Sequence, residues 1–339
     1  MELGIGMFGD LSLDPNTNKY RDASVKLNEI IDQVKLMDEV GLDVFAIGEH
    51  HRPDYAVSSP EIILAAAASV TKNIKLASGV TVLSSAEPVK VYQDFSTVDL
   101  ISKGRAEIIV GRGSFIESFP LFGYNLSDYD ALFEEKLDLL LKINNEENIT
   151  WNGSLRAPMK NQTVYPRAFN EGKLPIWIAV GGTPESVLRA AKLGLPLIVA
   201  IIGGMPKGFR NLIEFYKQEY LRAGHDPAKM QIAVHSHTFV SNDEKVIDQY
   251  FHNYKGQMDR IGAGRGWAPF TKMQFDGGRS KDGALFIGNV DEVADKINEV
   301  KEMFGLTRFI AHMDVGDPSN DIMMKSIELF GDKIAPQVR

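Results

Sequence analysis

The sequence predicts a single (β/α)8 barrel, residues 1–339 forming one domain. Three observations lead there. Short apolar runs suited to buried strands recur eight times, and segments with apolar residues at helical spacing lie between them. No linker-like stretch, short-period repeat or low-complexity tract divides the chain. Strands alternating with helices imply parallel strands joined by crossover helices, and eight such units close most economically into a barrel. An open doubly wound sheet is the alternative arrangement of the same elements.

Leu3–Phe8, apolar with glycines inside it, reads as the first strand. Val25–Val40 carries Leu27, Ile30, Ile31, Val34 and Met37 at helical spacing, and Gly41 follows as a stop. Asp43–Gly48 is the second strand and ends in Glu49, His50 and His51. Pro60–Lys72 is an alanine-rich helix, and β-branched Ile74–Leu83 is the third strand, followed by Ser84 and Ser85. Val89–Ser102 is helical. Ala106–Val110 is a fourth, fully buried strand ending in Gly111, Arg112, Gly113 and Ser114. After the Leu-rich helix Tyr129–Ile143, residues 144–172 turn polar and proline-containing, an excursion suited to a hairpin. Pro175–Val180, Thr183–Leu193, Pro196–Ile202, Lys207–Ala223, Met230–Val240 and Glu244–Ile261 resume the alternation. A second excursion at 262–283 holds Arg265, Trp267 and Arg279; Val290–Met303, Arg308–Asp314 and Ile322–Lys333 complete the eight units.

The composition, 44% hydrophobic and 24% charged, is that of a globular protein. No cysteine is present, which removes disulfides, thiolate catalysis and Cys-based zinc sites and accords with a reducing compartment. A formal charge of −8 argues against nucleic-acid binding. The opening MELGIGMFGD lacks the pattern of a secretory signal, and Ile62–Val70 is too short to span a bilayer. The expectation is a cytoplasmic protein without membrane partners.

In such a barrel, chemistry gathers at the carboxyl ends of the strands. Gly111–Ser114 offers two glycines around a planar guanidinium, either an anion cradle or a tight turn whose Arg112 pairs with a nearby carboxylate. Glu49, His50 and His51 suit acid–base work or a hydrogen-bonded barrel rim. A shared metal is disfavoured because adjacent side chains on extended backbone diverge, and no metal site is expected. Ser84 and Ser85 could touch a ligand or simply satisfy turn backbone. In Gly181–Ser186, Thr183 fits an N-cap and Pro184 the first helical position. The free N–H groups of such a helix start favour an anion, with Glu185 an opposing charge unless it faces solvent. Ile201–Gly204 would add an apolar wall.

Together these stretches resemble the bacterial luciferase-like flavin monooxygenases. The motifs are EHH at Glu49–His51, TVLSSAEPVKVYQDF at Thr81–Phe95, SKGRAEIIVGRGSF at Ser102–Phe115 and PIWIAVGGTPESVLRAAKLGLP at Pro175–Pro196. The resemblance covers nearly the whole chain. It implies FMN as cofactor, its phosphate held by Arg112 and by the segment containing Gly182, Thr183 and Ser186, with Ser114 also among the cofactor-binding residues. Gly79 to Leu83 would lie along the isoalloxazine, with Gly79, Val80 and Thr81 binding the cofactor and a non-proline cis peptide near Gly79–Val80. His50 would be the active-site histidine. One oxygen atom from O2 would enter a small organic substrate, a separate NAD(P)H:flavin reductase would supply reduced flavin, and the protein would form a homodimer. Gly111 stands where luciferase has a reactive cysteine and Ile201 where it has a tryptophan, so light emission is not expected. Deazaflavin-dependent hydride transfer and non-catalytic flavin binding are the alternative functions.

Overall fold

A computed structural model describes residues 1–339. Eight parallel strands form the barrel: β1 (Glu2–Met7), β2 (Val44–Ile47), β3 (Lys75–Ser78), β4 (Ala106–Gly111), β5 (Ile176–Val180), β6 (Leu197–Ala200), β7 (Ile232–Val240) and β8 (Arg308–His312). Each pairs with the next, and β8 returns to β1 with Ile310 opposite Gly4. The sheet therefore closes, which settles the choice between barrel and open sheet. Helices Ala23–Glu39, Pro60–Val70, Pro88–Ser102, Tyr129–Asn145, Pro184–Leu193, Arg210–Arg222, Val290–Phe304 and Asn320–Leu329 surround it. No helix is long and apolar enough to cross a membrane.

Strand alternation divides the apolar residues. Ile108, Val110, Ile176, Ile178, Leu197 and Val199 belong to the large core outside the barrel, beneath the helices. Val44, Ala46, Ala77, Ile109, Trp177, Ile198, Ala233 and Ile310 form a separate, smaller cluster in the lumen. At the amino ends of the strands, Arg308 is buried, with Nη1 2.6 Å from Glu107 Oε2, Nη2 2.6 Å from Glu2 Oε2 and Cζ 4.3 Å from the centre of the Trp177 ring. Burial alone would raise the Glu2 carboxyl, but Arg308 and Lys75 hold it below its ordinary range. Higher in the lumen the residues become small, and that leaves a cavity.

Two elements depart from the sequence expectations, in the third strand and the second excursion, and a third meets them. The third strand is not continuous from Ile74 to Leu83: β3 stops at Ser78, the Gly79–Val80 peptide is cis, and Thr81–Val82 resumes pairing with β4. The expected hairpin is present as Asn148–Trp151 with Met159–Thr163. The second excursion contains an unexpected helix, Lys272–Arg279, whose Thr271 and Gln274 form a capping box.

Candidate active site

A cavity of about 600 Å³ opens at the carboxyl ends of the strands. Its floor and walls follow from the inward positions of successive strands: Ala46, Ile109, Ala179, Ile198 and Ile310 reach it, as do Gly111 and Ala200 one step higher. Room is tight behind the glycines. A Cβ on Gly111 would lie 2.9 Å from Val80 Cγ2, so the absence of a side chain lets the Thr81–Val82 segment approach β4.

At one end stands Arg112. Its guanidinium pairs with Asp130, reaches Thr183 Oγ1 at 3.3 Å and lies 5.3 Å from the Tyr129 ring centre. Of the two readings of the Gly-Arg-Gly turn, the structure shows the carboxylate-paired one; Asp130 is exposed and faces the same guanidinium that an anion would use. Thr183 is the N-cap of Pro184–Leu193, but its hydroxyl makes no capping bond and is turned toward Arg112. Ser186 lines the same end and Glu185 is exposed outside the lining.

The remaining expected contacts divide. Gly79, Val80 and Ser114 line the cavity; Thr81 and Gly182 do not. Thr81 is buried between Val80 and Val82, which take the two cavity-facing positions. Gly182 supplies the turn, at φ +128°. Ser84 and Ser85 are backbone-satisfying residues: the Ser84 carbonyl accepts from Lys136 Nζ at 2.8 Å and Ser85 Oγ donates to the Val82 carbonyl at 3.3 Å. Ile202, not Ile201, faces the cavity. In the second excursion Arg265 and Trp267 line the mouth, whereas Arg279 is held by Glu244 and the Ile287 carbonyl.

His50 stands in the middle. Its ring stacks on Tyr55 at 4.2 Å and meets the edges of Phe8 at 4.5 Å and Phe115 at 5.2 Å. Nε2 is buried without a protein partner. Burial lowers its pKa to about 3, so the imidazole is neutral. His51 lines the same cavity, and its Nε2 lies 2.9 Å from Glu49 Oε1. The other Glu49 oxygen accepts the Val82 N–H at 2.9 Å. No group of three or more His, Cys, Asp or Glu side chains is arranged to hold a metal ion.

Sequence reasoning missed the opposite side of the cavity, where Asp10, Tyr55, His235, His237, Gln257 and His312 reach the lining. His235 Nε2 and His312 Nδ1 are 3.1 Å apart, and a Cβ on Gly6 would stand 2.7 Å from His235 Nε2. The glycine in β1 is what admits the imidazole. A usable signal existed: His235 and His237 alternate on one strand and share the inward face with Ala233.

A flavin fits what these residues offer. The cavity joins a cation and two hydroxyls at one end to apolar walls, a glycine-backed bulge and an orphaned imidazole nitrogen in the middle. Among known proteins, the chain is 24% identical to the alkanal monooxygenase alpha chain of Photorhabdus laumondii, over 74% of this chain and 68% of that one. The oxygenating constituent of 3,6-diketocamphane monooxygenase of Pseudomonas putida, a type II Baeyer–Villiger monooxygenase solved in complex with FMN, has the same fold. Its TM-score is 0.75 at 22% identity, covering 100% of this chain and 99% of that one. An F420-dependent secondary alcohol dehydrogenase, solved with an F420–acetone adduct, superposes with a TM-score of 0.76 at 18% identity, covering both chains completely. Residues 1–307 match the family described as luciferase-like monooxygenase. The chain therefore belongs to that family of oxidoreductases.

Proposed function

We propose that this protein is an FMN-dependent monooxygenase that places one oxygen atom from O2 on a small organic substrate. One observation carries the reading: a single cavity joins an anion-binding end, Arg112 with Thr183 and Ser186, to a neutral, unpartnered His50 set among aromatic rings. The flavin, when bound, supplies the electrons that activate oxygen. Arg112 and Thr183 hold the phosphate, and Val80 and Gly111 form the wall against which the ring rests. His50 Nε2 takes or gives a proton at the reacting centre. Phe8, Tyr55 and Phe115 exclude water around it. The FMN-bound camphane enzyme supports this cofactor.

A separate NAD(P)H:flavin reductase as the source of reduced flavin belongs to the proposal, as do a cytoplasmic location and a homodimer. Helices Pro60–Val70 and Pro88–Ser102 expose Ile62, Leu100 and Ile101 and would form the contact. Light scattering should give twice 37.6 kDa. Deazaflavin-dependent hydride transfer is the second reading, because the F420-dependent dehydrogenase matches the fold as well as the FMN enzyme does. Titration of purified protein with FMN and with a deazaflavin tests the choice. Tighter FMN binding, with oxygen uptake coupled to substrate loss, is expected; preferential deazaflavin binding with oxygen-independent turnover would overturn the first reading.

A further inference from the structure

The side of the cavity facing away from Arg112 is polar without being charged. His237, on β7, lines it, and its Nδ1 lies 2.8 Å from the Tyr254 hydroxyl. That hydroxyl has no other hydrogen-bond partner in the protein, and donation to Nδ1 is the arrangement that satisfies its proton. Burial lowers the pKa of His237 to about 3 and raises that of Tyr254 above its ordinary value, so the imidazole is neutral and the phenol keeps its proton. A neutral imidazole that accepts at Nδ1 carries its hydrogen on Nε2. Nε2 makes no hydrogen bond to the protein, and Tyr254 thereby fixes it as a donor.

Asp10 joins the same region. Its Oδ2 accepts the Gly316 N–H at 2.8 Å, and Gly316 packs so closely on this helix that a Cβ would lie 3.0 Å from Tyr254 N. Oδ1 of Asp10 is buried and unpartnered, and the residue lines the cavity. Burial, and then the neighbouring Asp314, push this carboxyl well above its ordinary range. The two other histidines of the floor, His235 and His312, bond to each other.

We propose that His237 Nε2–H, on the side of the cavity that Asp10 also lines, forms a hydrogen-bond-donor subsite for a neutral acceptor oxygen of the organic substrate, a carbonyl above all. The flavin reading enters only in taking the occupant to be the substrate; the donor belongs to this chain whatever cofactor it uses. A hydrocarbon of equal shape leaves that donor dry and unpaired, which penalises it more than the lost bond alone.

The test uses cyclohexanone and methylenecyclohexane, which differ in replacing the carbonyl oxygen by CH2. Binding of each is titrated by saturation-transfer NMR to the full-length protein, with and without FMN. Cyclohexanone should bind about tenfold more tightly, a net hydrogen-bond contribution of about 1.4 kcal/mol. Its C=O stretching band should move to lower frequency than in hexane. In His237→Phe the preference should fall to within about twofold, and in Tyr254→Phe it should fall part of the way, because the tautomer is then free. Equal binding of the two probes to the wild type overturns the proposal, as does a preference undiminished in His237→Phe. Should His237→Phe not fold, the wild-type band decides: a downward shift supports the subsite, and an unshifted band overturns it. Failure of FMN to bind counts against the flavin reading alone, since the ketone preference is read in FMN-free protein.

Discussion

Glu49 ties His51 to Val82: one carboxylate oxygen lies 2.9 Å from the imidazole Nε2, and the other accepts the Val82 N–H at 2.9 Å. Val82 follows the break in the third strand, so the side chain after β2 fixes the wall supplied by β3. Glu49→Ala leaves that N–H unpaired and should lower stability by about 1–3 kcal/mol and weaken FMN by about fivefold to tenfold. Glu49→Gln keeps an acceptor oxygen and should lose much less. Urea unfolding and FMN titration of both variants check this; equal losses would show that the charge, and not the bond to Val82, matters.

Arg112 should discriminate FMN from riboflavin. Removing a charge-assisted hydrogen bond costs about 1.5–3 kcal/mol, so Arg112→Ala should weaken FMN roughly 10- to 150-fold and leave riboflavin nearly unaffected. Asp130, which faces the same guanidinium, competes with the phosphate, so Asp130→Asn should tighten FMN. Equal weakening of both ligands in Arg112→Ala would mean that Arg112 supports the loop.

For His50, the prediction separates binding from turnover. Its Nε2 has no protein partner to lose, so His50→Ala should keep FMN affinity within about tenfold while slowing oxygen-dependent turnover far more. Unchanged turnover would reduce His50 to one of the packed rings around Phe8 and Tyr55.

Acid should destabilise the fold in a defined window. Burial lowers His235 to about 4 and His50 and His237 to about 3, and burial with neighbouring imidazoles holds His312 well below 6.5. Between those values and 6.5 the unfolded chain binds protons that the native protein does not. Stability therefore falls as pH falls, by about 1.4 kcal/mol per pH unit for a buried imidazole such as His237. Asp10, Glu61, Asp99 and Asp138, raised in the native state, work in the opposite sense and reduce the slope. Urea midpoints should decline from about pH 6.5 to about pH 4.5, with a shallower decline in His237→Phe. A flat profile would show that these rings are solvated.

The alternation of apolar runs was enough to read eight strands and their closure, because period-two and helical spacing report directly on which face each residue buries. Arg112, Thr183 and Ser186 were legible for a related reason: glycine, Pro and an N-cap residue announce a turn or a helix start locally. Glu49's bond to Val82 was not, since it depends on a register between two strands that no single stretch encodes. Nor was the floor. The apolar run of β7 continues to Val240, but its pairing with β8 ends at His237, and Thr238–Val240 pair instead with Phe286–Gly288. The position that matters is therefore internal to the run. Arg279 shows the converse, a conspicuous residue in the right excursion whose partners turn it away from the mouth.

The stack of Arg308 on Trp177, locked between Glu2 and Glu107, has a consequence for traffic. The lumen is stoppered below, so nothing held in the cavity passes out through the amino ends of the strands. A molecule lodged against His237 leaves on the side of the carboxyl ends, which it shares with every other ligand of the cavity. Arrivals and departures must queue, and the side chains at that shared threshold, Phe115, Arg265 and Trp267, govern the order of passage for every ligand the barrel admits.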